Sequence, residues 1–202
     1  MSKINKDPKF IFNKITKLLS IAVKDRRHPF HTPVFSNISI SLKTESRVVV
    51  LRKFDKENLL LNFHTDFRSP KISSLRNNNN SFFLFYDSKL KIQLRINTLS
   101  SINNDNSVTK KAWENTKLSS RKCYLSLKSP STITDQPEDG LPEHLSGVNP
   151  SKQESEIGYS NFAVIENKIN TIDWLYLDSA GHKRLFINCL NKSNPKYDWL
   201  IP

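Results

Sequence analysis

Only four glycines occur in the 202 residues, Gly140, Gly147, Gly158 and Gly181, and that scarcity excludes two large nucleotide-binding fold classes. Neither a G-x-G-x-x-G turn nor a G-x-x-x-x-G-K loop can be written with glycines at those positions, so Rossmann and P-loop architectures are ruled out. Yet 31 Lys and Arg stand against 19 Asp and Glu, a formal net charge of +12, which is the footprint of a chain that meets phosphate. Any phosphate must therefore be held without a glycine cradle. Part of the excess is background, because Lys, Asn, Ile and Ser abound along the chain, as an A+T-rich coding sequence would give.

A chain of this length fits one domain, here residues 1–202, and its 37% hydrophobic content is enough for a single core. No stretch reaches the length of a bilayer span, and the Met1–Asp7 start lacks the apolar run of a secretory signal, so a cytoplasmic protein with no membrane partner is expected. Cys123 and Cys189 form neither C-x-x-C nor a paired zinc pattern, and both read as small buried hydrophobes. His28-x-x-His31 has no third ligand at metal spacing, so no metal is expected.

Residues 1–33 read as an N-terminal helix and its lead-in. Phe10, Ile11, Ile15, Leu18, Leu19 and Ala22 make an apolar stripe over residues 8–24, with lysines on the far side. Alternation at Phe35, Ile38, Ile40 and Leu42 then announces sheet. Arg47-Val-Val-Val-Leu-Arg52 and Leu59-Leu-Leu-Asn-Phe-His64 predict a hairpin around the polar Asp55–Asn58 turn. Ser69-Pro70 opens a short helix by its capping pattern. Ser81–Tyr86 and Leu90–Ile96 form a second hairpin, with Gln93 on the polar face of its strand.

Residues 108–127 read as one helical region with Trp113 inward, and 128–150 as a long loop. Ser151 and Glu154 spell a capping box. Phe162–Glu166, Ile172–Leu177 and Arg184–Cys189 return as strands, turning at Asn167-Lys168 and Ser179-Ala180-Gly181. So many closely spaced strands with helices only around them predict a mainly β, α+β fold built on a closed antiparallel barrel.

Without glycine loops, a phosphate can sit on strand-end cations and a helix N-terminus. Arg47 and Arg52 bracket one strand, His64 and Thr65 end its partner, and Ser69 and Lys71 open the helix beyond. Arg grips phosphate bidentately and Lys adds a point charge.

Taken in order, Arg47–Arg52, Asn62–Lys71, Lys91–Ile96, and Trp174 with Gly181-His-Lys-Arg184 resemble the pyridoxamine 5'-phosphate oxidase-like flavoproteins, particularly their branch of related FMN-binding proteins. The resemblance runs from about residue 33 to the C-terminus. It implies an antiparallel split β-barrel of the FMN-binding type, a homodimer with FMN at the subunit interface, and an oxidoreductase acting on a small substrate stacked on the flavin. It assigns Arg47, Ser69 and Lys71 to the phosphate. Val48, Leu51, Arg52, His64 and Thr65 go to the ribityl chain and ring, Gln93 to the isoalloxazine, and Trp174 and Arg184 reach in from the other subunit.

On the substrate side the resemblance implies Arg52, Lys117, Arg121 and His182. No side chain is firmly assigned as catalytic; Arg52 and His182 are the two expected near the substrate. Ala180 stands where the vitamin-processing enzymes carry an Arg, which removes one substrate contact. The alternatives are a flavin- or heterocycle-binding module without turnover, supported by Ala180, and a basic β-barrel that binds RNA, supported only by the net charge. Nucleic acid is not the expected partner, because Lys6, Lys9, Lys14 and Lys17 at helical spacing describe a solvated face.

Overall fold

The computed structural model describes residues 6–202; Met1–Asn5, the front of the Met1–Asp7 start, lie outside the described residues. Helix α1 (Pro8–Lys24) begins where the Asp7 carboxylate accepts from the Lys9 amide at 3.0 Å. Its docked face is Ile11, Ile15, Leu19 and Ala22, whereas Phe10, expected in that stripe, is 49% exposed. Pro29 follows and sets a single 3-10 turn, Pro29–His31. The His28 and His31 rings serve that junction, His28 accepting from the Phe30 amide and His31 meeting the Ala22 carbonyl.

Strands β1 (Val34–Ile38) and β2 (Thr44–Val48) form the first hairpin. The alternation read through Leu42 stops short, because Ile40 and Leu42 lie on the hairpin turn and are exposed. The apolar run at 47–52 is not one strand. Past Val48 the chain changes partners, the Val49 amide donating to Pro33 O and the Leu51 amide to His31 O. It then pairs again as β3 (Lys53–Asp55) with β4 (Leu60–Asp66). Arg47 and Arg52 thus belong to different parts of the sheet.

After α2 (Pro70–Asn77) come β5 (Asn80–Asp87) and β6 (Ile92–Asn103), which runs beyond the predicted Ile96. The helical region expected over 108–127 is broken into α3 (Ser107–Glu114), α4 (Leu118–Arg121) and a 3-10 turn, Lys122–Leu125. The loop at 128–150 is irregular apart from one turn at Glu143–Leu145. The predicted capping box is present at α5 (Lys152–Ser155), which leads through a 3-10 segment into β7 (Phe162–Tyr176), β8 (Lys183–Asn188) and β9 (Lys196–Leu200). Strand β9 is not among the expected strands, although Tyr197 and Trp199 alternate there with Lys196 and Asp198.

No turn forms at Asn167-Lys168; β7 runs straight through. Asn167 is fully buried, its amide donates to Leu61 O and Ile165 O, and its oxygen accepts from Ser100 Oγ at 2.7 Å. A polar residue that looks like turn chemistry is instead satisfied inside the barrel. The turn at Ser179–Gly181 is present.

All pairings are antiparallel, in the order β2-β1-β5-β6-β7-β4-β3, with β8 on β7 and β9 on β8. The two ends of that path, β2 and β3, are joined directly by Val49–Arg52, so the sheet curls round on itself. The first part of β7 pairs with β4 and the last part with β8, which opens the barrel where those partners diverge. Phe30, Phe35, Phe63, Phe83 and Phe85 fill the interior, Phe35 packing on Phe63 with ring centroids 4.7 Å apart. Trp113, Tyr124, Phe162 and Val164 form a smaller cluster under α3. Cys189 is buried as expected, but Cys123 is exposed. Among the described residues no helix is long and apolar enough to cross a membrane.

Candidate functional site

The three residues expected at the phosphate, Arg47, Ser69 and Lys71, meet at one end of the barrel together with Thr65, expected at the ribityl chain and ring. Lys71, in the first turn of α2, points its ammonium back to Thr65 Oγ1 at 2.9 Å on β4 and to Ser69 Oγ at 2.5 Å. Ser69 occupies the N-cap position, but its hydroxyl makes no capping bond and is committed to Lys71 instead. Arg47 on β2 approaches the same point, anchored by Asn37 Oδ1 and by Glu45, whose carboxylate lies 3.0 Å away. Burial, and then the nearby Arg47 guanidinium, hold the Lys71 ammonium below its ordinary pKa. A half-buried ammonium beside a guanidinium and a helix start forms a site that an anion would relieve.

On the other side of β4, His64 faces a cavity of about 820 Å³ between the sheet, α3 and the end of α1. Leu51, Arg52 and Lys117 also line it. Burial, and then Arg52, push the His64 imidazole down to about 4, so it is neutral at physiological pH; its ring stands edge-on to Phe162 at 4.8 Å. The cavity walls carry six cations, Lys24, Arg26, Arg52, Lys53, Lys111 and Lys117, against the single carboxylate of Glu166. Apolar wall comes from Leu51, Val108 and Val164 among others. Its size and mixed lining suit a small organic anion.

A third group lies on the outer face of the sheet. Cross-strand pairing places Val48, Val34, Leu84, Arg95, Asp173 and Phe186 in one row, and Tyr86, Gln93, Leu175, Arg184 and Leu200 in the next. Directly opposed residues share a face, so Val48, Gln93 and Arg184 lie on the same open, largely apolar face, on strands β2, β6 and β8. Val48 is 64% and Tyr86 50% exposed. Arg184 is fixed there by Asp173, which also binds Arg95 at 2.6 Å.

Three expected residues are placed otherwise. Trp174 is 3% exposed and belongs to the core, stacked on Tyr176; it lies on the opposite pleat from Gln93 and Arg184 and presents no free ring. Arg121 is 4% exposed. Its guanidinium is consumed by the Trp113 and Thr116 carbonyls, Ser155 Oγ and Glu156 Oε1, and it lies over the Trp113 ring at 4.6 Å. It ties α3, α4 and α5 together, with four of its five N–H donors taken up inside the protein. His182 sits on the exposed β7–β8 turn with its Nδ1 accepting from the Asp178 amide.

Sequence reasoning missed Lys24, Arg26, Lys53, Lys111, Asn62 and Glu166 as cavity residues, because they come from five separate elements or their edges. The one available signal was the isolation of Asn62 as a polar residue inside the apolar run at 59–63.

Residues 13–102 match the family model described as "Pyridoxamine 5'-phosphate oxidase, FMN-binding domain". That segment holds Arg47 through Lys71 and Gln93, and ends before α3. No curated protein sequence matches the chain. Among solved structures, a pyridoxamine 5'-phosphate oxidase-related, FMN binding protein from Nostoc punctiforme superposes with a TM-score of 0.72 at 14% identity, over 94% of this chain and 96% of that one. PhzG from Burkholderia lata, solved in complex with tetrahydrophenazine-1-carboxylic acid, superposes with a TM-score of 0.71 at 15% identity, over 99% and 95%. A protein from Clostridium acetobutylicum related to general stress protein 26 reaches 0.53 at 10% identity, over 88% and 94%. Identities this low establish shared architecture. The chain thus carries a segment, residues 13–102, that matches the FMN-binding domain model, and it shares the split-barrel fold of these structures across nearly its whole length.

Proposed function

We infer that the protein is an FMN-dependent oxidoreductase, acting as a homodimer on a small anionic substrate held in the cavity beside His64. The observation that carries this reading is the meeting of Arg47, Thr65, Ser69 and Lys71 from three separate segments. A dianionic phosphate fits that donor set: a guanidinium, an ammonium and two hydroxyls can all donate to it. When bound, FMN supplies the redox chemistry, and the protein supplies position, charge and exclusion of solvent.

Each group then has a task. The four-residue cluster fixes the phosphate at the end of the barrel, while neutral His64 packs and hydrogen-bonds without adding charge. Arg52 and Lys117 draw the substrate anion into the cavity. The open sheet face carrying Val48, Gln93 and Arg184 is the surface on which the second subunit seats. Gln93 has both a donor and an acceptor for a ring edge, and Asp173 holds the Arg184 fork in one orientation for the cofactor across the interface.

The second reading, a flavin-binding module without turnover, is favoured by the β7–β8 turn. Ala180 brings no charge there, and His182 is turned toward its own backbone. Purified protein decides between these readings. FMN titration followed by the visible spectrum, with light scattering for mass, is expected to give one flavin per subunit in a dimer; absence of FMN uptake refutes both. Electron transfer from a reduced nicotinamide cofactor to the loaded protein supports the enzyme over the module.

A further inference from the structure

The six cations of the cavity surround one carboxylate, and none of them pairs with it: Glu166 makes no ion pair among the described residues. Two neutral amides hold it instead. Its Oε1 accepts from Asn62 Nδ2 at 3.1 Å and its Oε2 from Asn103 Nδ2 at 3.3 Å. Asn62 stands directly opposite Glu166 across the β4–β7 pairing, and Asn103 comes from β6 on the other side.

A carboxylate has about four acceptor positions, so two are left by the amides on a side chain that lines the cavity. The Asn62 amide has only one workable orientation, because its oxygen cannot face the carboxylate. That choice leaves Asn62 Oδ1 buried with no partner. Strands already paired by backbone bonds do not need such support, and an unpaired buried oxygen costs stability. The arrangement keeps one negative charge free in a positive cavity.

We propose that Glu166 is a specificity residue that accepts a hydrogen bond from an N–H or amino group of the substrate, whose anionic end faces Arg52 and Lys117. The ligand class is a small organic acid that also carries an amino or other N–H donor. This rests on reading the cavity as the substrate site, and Asn62 and Asn103 act as positioning residues for Glu166.

Calorimetric titration with para-aminobenzoate and benzoate tests it, on FMN-loaded and on flavin-free protein. Wild type is expected to bind the amino acid about tenfold tighter than benzoate, the gain of one charge-assisted hydrogen bond. Glu166→Gln is expected to bring that ratio close to one while benzoate binds as well or better, since a repelling charge has gone; thermal melts confirm that the variant is folded. Equal binding of the two probes by wild type, an unchanged ratio in Glu166→Gln, or no binding of either at millimolar concentration overturns the proposal. FMN uptake without probe discrimination defeats the Glu166 assignment alone. Discrimination in protein that never takes up FMN defeats the flavin reading alone.

Discussion

Removing the Lys71 ammonium should separate ligand affinity from stability. In Lys71→Met the long apolar stem is kept, and two hydrogen bonds to Thr65 Oγ1 and Ser69 Oγ are lost. Each such bond contributes a net of about 1 kcal/mol. Against that, Lys71 is held below its ordinary pKa by burial and by Arg47, so losing its charge relieves both penalties. Stability without ligand is therefore expected to change by less than about 1 kcal/mol, which is under about 4 °C in melting temperature for a chain of this size. The bond from an ammonium to phosphate is of another magnitude, about 1.5–3 kcal/mol. The FMN dissociation constant should rise about 10- to 150-fold.

The sign of the pH dependence gives an independent check. The folded, ligand-free protein binds the Lys71 proton less tightly than the unfolded chain does, so stability rises with pH through the interval below the ordinary lysine value. Lys71→Met should flatten that rise. Flavin fluorescence quenching measures the affinity, and melts with and without FMN measure the stability. A variant that melts several degrees lower yet binds FMN as before refutes the phosphate role and makes Lys71 a structural residue.

Three further outcomes are expected. Arg121→Ala should cost about 2–4 kcal/mol in denaturant melts, because a buried guanidinium with five hydrogen-bond and ring contacts is lost and Glu156 keeps access to solvent; a near-neutral effect would undo its structural assignment. His64, held down to about 4 from 6.5, binds fewer protons folded than unfolded across that window. Stability should thus fall as pH drops through it, by on the order of 2 kcal/mol given partial exposure, and His64→Phe should remove that acid sensitivity. Leu84→Glu, in the middle of the open sheet face, should yield a monomer by light scattering with weakened FMN binding; a dimer of unchanged FMN affinity would place the interface elsewhere.

Much of the local structure was legible because it depends on neighbours in the chain. The α1 stripe, the Ser69-Pro70 start of α2, the capping box at Ser151 and the β5–β6 hairpin all follow from residues within a few positions of one another. The misreadings share one cause. Arg47–Arg52 looked like a single strand because β-branched residues favour extended backbone, yet propensity does not say which partner such a segment pairs with, and here the partner changes after Val48. Asn167 looked like a turn because isolated asparagine usually is one, and only Ser100 and Leu61 O, brought by β6 and β4, make it a buried strand residue.

By itself the sequence excluded glycine-cradled nucleotides, set a mainly antiparallel β class, and offered Arg47, Arg52, His64, Thr65, Ser69 and Lys71 as a phosphate-binding group, since these rest on composition and short-range spacing; the resemblance narrowed the phosphate to Arg47, Ser69 and Lys71. Tertiary structure alone decided which cations act together. It sent Arg47 to the end of the barrel with Lys71, Arg52 to the cavity with Lys117, and Arg184 to the open sheet face, and it buried Arg121 under α3. Those placements depend on pairing registers between strands many residues apart, where a shift by one residue turns a side chain to the opposite face.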